Sequence, residues 1–255
     1  MNAPPTVATL LQQGLFHHRQ GQLAQAMERY VEALQADPTN ADALYYVAVI
    51  ACEDGQYQQG IDLAMRAIDV GKPQARVHNL MGQAYDRLRQ PLEAIKAYDA
   101  AIAVDANFAA AHGNRASILA DTGFPDEALK AYDRALAFNG NSGADWLNRG
   151  TLLTDMGRFA DAVESFNRAL ALAPDLAEAH AGHGVALMSL GRFDDALVAL
   201  DRALKIAPAS VGAHKARAAT LIALKRNDEA KVNYDRAAEL EAAMKAQPGP
   251  TTLAS

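Results

Sequence analysis

Apolar and polar positions along this chain recur with a period of 34 residues. One column of small residues reads Gly14, Ala48, Gly82, Ala116, Gly150, Gly184 and Ala218. A second reads Ala26, Gly60, Ala94, Ala128, Ala162, Ala196 and Ala230. A third is alanine throughout: Ala33, Ala67, Ala101, Ala135, Ala169, Ala203 and Ala237. Three positions before it runs a bulky column, Tyr30, Ala64, Tyr98, Tyr132, Phe166, Leu200 and Tyr234, in which Ala64 is the weak point. Residues three and four apart share a helix face, so each unit reads as helices with mixed apolar stripes. Small residues let two backbones approach, and bulky ones fill the space between them. Glycines at 21, 55, 123, 157 and 191 end the first helix of a unit, with Arg89 and Lys225 in their place in two units. Pro38, Pro174 and Pro208 end the second helix, joined one residue late by Pro73.

The pattern predicts seven helix–turn–helix repeats, at about 7–40, 41–74, 75–108, 109–142, 143–176, 177–210 and 211–244. Residues 1–6 are expected to be a disordered N-terminus. Residues 245–255 are expected to be a disordered tail, since QPGPTTLAS lacks apolar periodicity. The best-matched neighbours are GRFADAVESFNRALALAP and GRFDDALVALDRALKIAP, identical at 10 of 18 positions.

The strings WLNRGTLLTDMGRFADAVESFNRALALAP and AHAGHGVALMSLGRFDDALVALDRALKIAP resemble the tetratricopeptide repeat family. The resemblance covers about nine-tenths of the chain. It implies an all-α fold, a right-handed superhelical solenoid whose concave groove is lined by the first helix of each pair. It also implies a non-enzymatic scaffold or adaptor that binds a protein or peptide segment in that groove. The repeats are further similar to the arms of bacterial O-linked N-acetylglucosamine transferase-like proteins. That leaves a substrate-recruiting role in a glycosyltransferase system as an alternative, and a self-assembling homo-oligomeric scaffold as another.

Within such a groove the candidate contacts flank the small column. They are Arg76, Asn79, Gln83 and Asp86 in the third repeat, Asn114, Ser117 and Asp121 in the fourth, and Asn148, Thr151 and Asp155 in the fifth. Asparagine donates and accepts at once, so Asn114 and Asn148, one period apart, could pair with an extended backbone. The same column holds Leu80 before them and Gly182 after them. A merely solvated helix face would also explain these polar residues. Tyr45, in the repeat weakened by Gly60 and Ala64, suggests an apolar pocket for a ligand side chain; aromatic repacking with Tyr46 and Tyr57 is the other reading. The carboxylate grip known in the family would use Arg76, Asn79 and Arg115, but Leu11 and Leu15 stand where the first repeat would need polar groups.

Other chemistry is sparse. His78, His112, His180 and His214 share a column with Leu10, Leu44 and Trp146, which reads as packing bulk. Successive members lie a helix pair apart, too far to converge on a metal ion, and none is expected. Asp126–Glu127 and Asp194–Asp195 follow turns and suit helix N-termini better than acid–base catalysis. Cys52, beside Glu53 and Asp54, is a poor nucleophile and the lone cysteine, so no disulfide framework exists. No phosphate loop is visible, and no cofactor is expected.

Charge narrows the partners. The net charge is −6, and no block is strongly basic: residues 1–75 carry −4, 76–140 −1, 141–208 −3 and 209–255 +2. Nucleic acid is therefore not the expected partner. The N-terminus, MNAPPTVATLLQQG, has neither a basic leader nor a long apolar run, so a cytoplasmic protein with no membrane partner is expected; that it is bacterial is what the resemblance above implies.

Overall fold

The computed structural model describes residues 5–72 and 74–246. Pro73, the first four residues and the tail string QPGPTTLAS lie outside the described residues, so the expectations placed on them have no counterpart below. The described residues form fourteen helices and no strand. In order they are α1 (Val7–Arg19), α2 (Leu23–Ala36), α3 (Ala41–Glu53), α4 (Tyr57–Val70), α5 (Ala75–Arg87), α6 (Pro91–Val104), α7 (Ala109–Asp121), α8 (Pro125–Phe138), α9 (Gly143–Asp155), α10 (Phe159–Leu172), α11 (Ala177–Ser189), α12 (Phe193–Ile206), α13 (Val211–Ala223) and α14 (Asn227–Ala246). The chain divides into two compact units between Phe138 and Asn139. The first holds α1–α8, the second α9–α14.

Within each unit, every odd-numbered helix packs on the even-numbered one that follows, and each pair packs on the next. This is a solenoid, in which a repeat contacts its neighbours and little else. The bulky column supplies the wedges. Tyr30, Tyr98, Tyr132, Phe166 and Leu200 are all buried. A methyl added to Gly82 would sit 2.4 Å from the Tyr98 ring, so glycine there makes the hole that the ring fills. Phe166 reaches further. Its ring lies against both Gly150 of α9 and Gly182 of α11. Tyr234, last of the column, is 41% exposed, since among the described residues no helix pair follows α14.

The turns inside the pairs share one geometry. Gly21, Gly55, Gly123, Gly157 and Gly191 have φ between 71° and 87°, and Arg89 and Lys225 adopt the same left-handed conformation at 59° and 62°. In each turn the residue after this position donates its N–H to the carbonyl five back, as Gln22 does to His17 and Arg226 does to Leu221. The left-handed residue itself donates three back. This double closure is the Schellman motif, which satisfies carbonyls that a helix end would otherwise leave open. Arg192 then pairs with Asp195 at 2.6 Å, fixing the acidic first turn of α12.

Two boundaries differ from expectation. Thr6, placed in the leading segment, caps α1: its hydroxyl accepts the Thr9 N–H at 3.2 Å. At the other end α14 runs on to Ala246, its last turns tied to α13 by an ion pair between Lys215 and Glu241. Among the described residues no helix is long and apolar enough to cross a membrane.

Candidate functional site

In the first unit, α3, α5 and α7 lie side by side. Together with Tyr57 and Tyr98 they enclose an open hollow of about 530 Å³. Its walls mix apolar residues, among them Val49, Leu80 and Ile118, with the polar side chains of Gln83, Asn114 and Ser117. Glu53, Asp86 and Arg87 supply charge. Four of the sequence candidates, Gln83, Asp86, Asn114 and Ser117, are thus brought together here.

The others are placed elsewhere or already engaged. Arg76 is expected as a groove contact. Its guanidinium instead lies over the Tyr45 ring, 4.4 Å from the centroid, and donates to Asp42, to Gln74 and to the Tyr46 hydroxyl. The space beside Tyr45, a candidate ligand pocket, is therefore occupied on that side by Arg76. Tyr46 in turn stacks on Tyr30 with centroids 5.0 Å apart. The thin second repeat is shored up by this aromatic pile and its arginine. Arg115, the other cation of the carboxylate grip, holds Asp99 at 2.6 Å. Both arginines already grip carboxylates of this chain.

Asn79 is 9% exposed and accepts a hydrogen bond from the Asn114 amide at 3.0 Å. This cross-repeat pair ties α5 to α7 and uses one amide function of each residue. Asn148 and Thr151 belong to the second unit. Thr151 is exposed and its hydroxyl donates back to Leu147. Asp121 and Asp155 are exposed. Gly182, which interrupts the asparagine column, has a physical cause: a Cβ there would come within 2.5 Å of the Phe166 ring.

Lining residues that sequence reasoning did not propose include Cys52, Glu53, Arg87 and Tyr98. Cys52 and Asp86 occupy the same position of consecutive repeats, which was the available signal. Burial, and then the Glu53 carboxylate, push the Cys52 thiol up from its ordinary value. Glu53 itself is approached by His18 at 3.3 Å. Tyr98 is 2% exposed, and burial followed by the nearby Asp86 carboxylate raises its hydroxyl above the ordinary tyrosine value, so it stays protonated. In the next repeat the equivalent Tyr132 hydroxyl meets Ser117 at 3.0 Å. Among the described residues Tyr98 makes no such bond with Gln83, the counterpart of Ser117. Among the described residues no group of three His, Cys, Asp or Glu is arranged to hold a metal ion.

Four family models, each described as tetratricopeptide repeat, match residues 17–84, 75–108, 107–175 and 147–211. None describes an enzyme. Among solved structures, pilF of Pseudomonas aeruginosa is 19% identical, with a TM-score of 0.76 over 84% of this chain and 97% of that one. YrrB, described as a TPR protein with an unusual peptide-binding site, is 20% identical, with a TM-score of 0.61 over 72% and 95%. MamA is 21% identical, with a TM-score of 0.61 over 66% and 98%. Likeness at this identity is likeness of fold. No curated protein matches the sequence.

Proposed function

The chain belongs to the tetratricopeptide repeat family, and on that premise we propose that it is a non-catalytic scaffold whose first unit binds a peptide segment of a protein partner across α3, α5 and α7. The observation that carries this reading is the hollow itself. Its polar walls are contributed by the first helices of consecutive pairs, and Gln83 at its rim is exposed. A solenoid holds such a surface rigid before the ligand arrives, so less ordering cost is met on binding. Many weak polar contacts with a few apolar ones suit a segment laid along helix sides.

A random-peptide display selection tests this. Peptides selected on the wild-type chain are re-measured on Gln83→Trp, which fills the hollow from an exposed position. Loss of binding, with unchanged helicity by circular dichroism, is expected. Peptides that bind both proteins equally would move recognition away from this face.

A further inference from the structure

The hollow has a chemical bias. Glu53 and Asp86 bring two carboxylates to its wall, against one cation, Arg87, among the described lining residues. Residues 1–138 as a whole hold 11 Lys or Arg and 16 Asp or Glu, a difference of −5, so the surrounding field has the same sign. Two nearby carboxylates, Asp42 of α3 and Asp99 of α6, are neutralised by Arg76 and Arg115. Those of the hollow are not so neutralised. Asp86 has no ion pair among the described residues, and Glu53 meets only the His18 ring.

The second, independent observation is the Tyr98 hydroxyl. It belongs to a side chain that is 98% buried, since its exposure is 2%, yet it lines the hollow and lacks the bond its counterpart Tyr132 makes with Ser117. A hydroxyl that lines the hollow without a protein partner is free to bond a ligand that enters it. The hydroxyl can accept from a ligand N–H while Asp86 and Glu53 accept others. Tyr57 lines the same wall, and aromatic rings attract cations. Carboxylates, a hydroxyl and rings in one recess are complementary to a donor-rich cation on a long stem.

We infer that the hollow takes the cationic side chain of a partner segment, lysine or arginine, with Glu53 and Asp86 holding its charge and the Tyr98 hydroxyl accepting one of its N–H groups. This rests on the peptide-binding reading above and narrows it. Arg87 then acts against binding, as a like charge at the rim that disfavours a second basic residue beside the first.

The test uses the full chain, ¹⁵N-labelled, and three short Ala/Ser peptides that differ only in a central Arg, Leu or Glu. Each is titrated to about 1 mM, where weak single-residue recognition is visible. The Arg peptide is expected to shift amides around Cys52–Glu53, Gln83–Arg87 and Ser117, while the Leu and Glu peptides are not. Asp86→Asn and Glu53→Gln should each weaken it about tenfold, a charge-assisted hydrogen bond's worth. Tyr98→Phe should weaken it about threefold with no loss of thermal stability, since the hydroxyl removed has no partner in the free protein. Arg87→Gln should strengthen it, and added salt should weaken it. Equal shifts from the Leu or Glu peptide, or an Asp86→Asn protein that binds the Arg peptide unchanged, would overturn the cationic assignment and leave a peptide site of other chemistry. Absence of shifts with all three would overturn it as well, and the display selection would decide the broader reading on its own.

Discussion

One column of residues explains itself only at the level of single atoms. His112, His180 and His214 each place Nε2 2.8–3.0 Å from a backbone carbonyl six residues earlier, those of Ala106, Pro174 and Pro208. Trp146 does the same with its indole N–H, to Gly140 at 2.9 Å. The shared property is a ring N–H at one height, pinning the loop that enters each repeat. Bulk at this column was legible from Leu10, Leu44 and Trp146; the pin was not, because its acceptor is a backbone atom whose direction the sequence does not show. His180→Leu keeps the bulk and deletes the donor. We expect a loss of about 1 kcal/mol, read from the urea midpoint; an unchanged midpoint would reduce the column to packing alone. His183 behaves differently. Burial first, then His180 and Arg192, lower its pKa from the ordinary 6.5, and burial alone lowers that of His78. A histidine held neutral by the fold contributes stability that is present above its unfolded value and is lost as pH falls through its lower folded value. Stability should therefore decline as pH drops below about 6.5. His183→Gln should flatten part of that decline, and a slope identical to wild type would remove His183 as a contributor.

Helices and turns were the most legible scale. The small and bulky columns state where two backbones meet, as Gly82 and Tyr98 do, and the turn glycines state where a left-handed residue sits. The asparagine ladder was less legible. Asn114 finds its partner at Asn79, 35 residues away and not 34, so a strict column comparison overlooks the pair. Arg76 likewise looked free because its cage, Tyr45 and Asp42, comes from the preceding repeat. The turns also contain a correctable strain. Arg89 and Lys225 are exposed and hold φ near +60°, a conformation costing roughly 1–2 kcal/mol for a residue with a Cβ. Glycine removes that cost but adds freedom to the unfolded chain worth roughly 0.4–1 kcal/mol. The balance favours the substitution, so Arg89→Gly and Lys225→Gly should each stabilise the protein by about 0.5–1 kcal/mol. A lower melting temperature in either variant would show that the long side chain makes a compensating contact.

At the scale of the molecule, the repeat register runs through Phe138–Asn139 without insertion, yet the contacts divide there into two units. Nothing in the columns marks that division, because period and register describe each repeat alone and not how strongly neighbours are joined. In a solenoid the free energy is a sum of repeat terms and nearest-neighbour terms, so a lesion is felt most where it is made. Phe166 is the sharpest place to make one. Its ring sits against α9 and α11 from α10, entirely inside the second unit, and is 1% exposed. Truncation to alanine removes the wedge from two glycine holes at once and should cost about 3–5 kcal/mol. Hydrogen exchange followed by mass spectrometry should then show α9–α12 exchanging much faster in Phe166→Ala, while α3–α6, which carry most of the hollow's wall, keep their protection. If both units lose protection equally, the chain unfolds as a single cooperative body. The binding face would then depend on packing far down the solenoid. If the first unit holds, recognition and the second unit are thermodynamically separable, and variants of the hollow can be interpreted without reference to repeats five to seven.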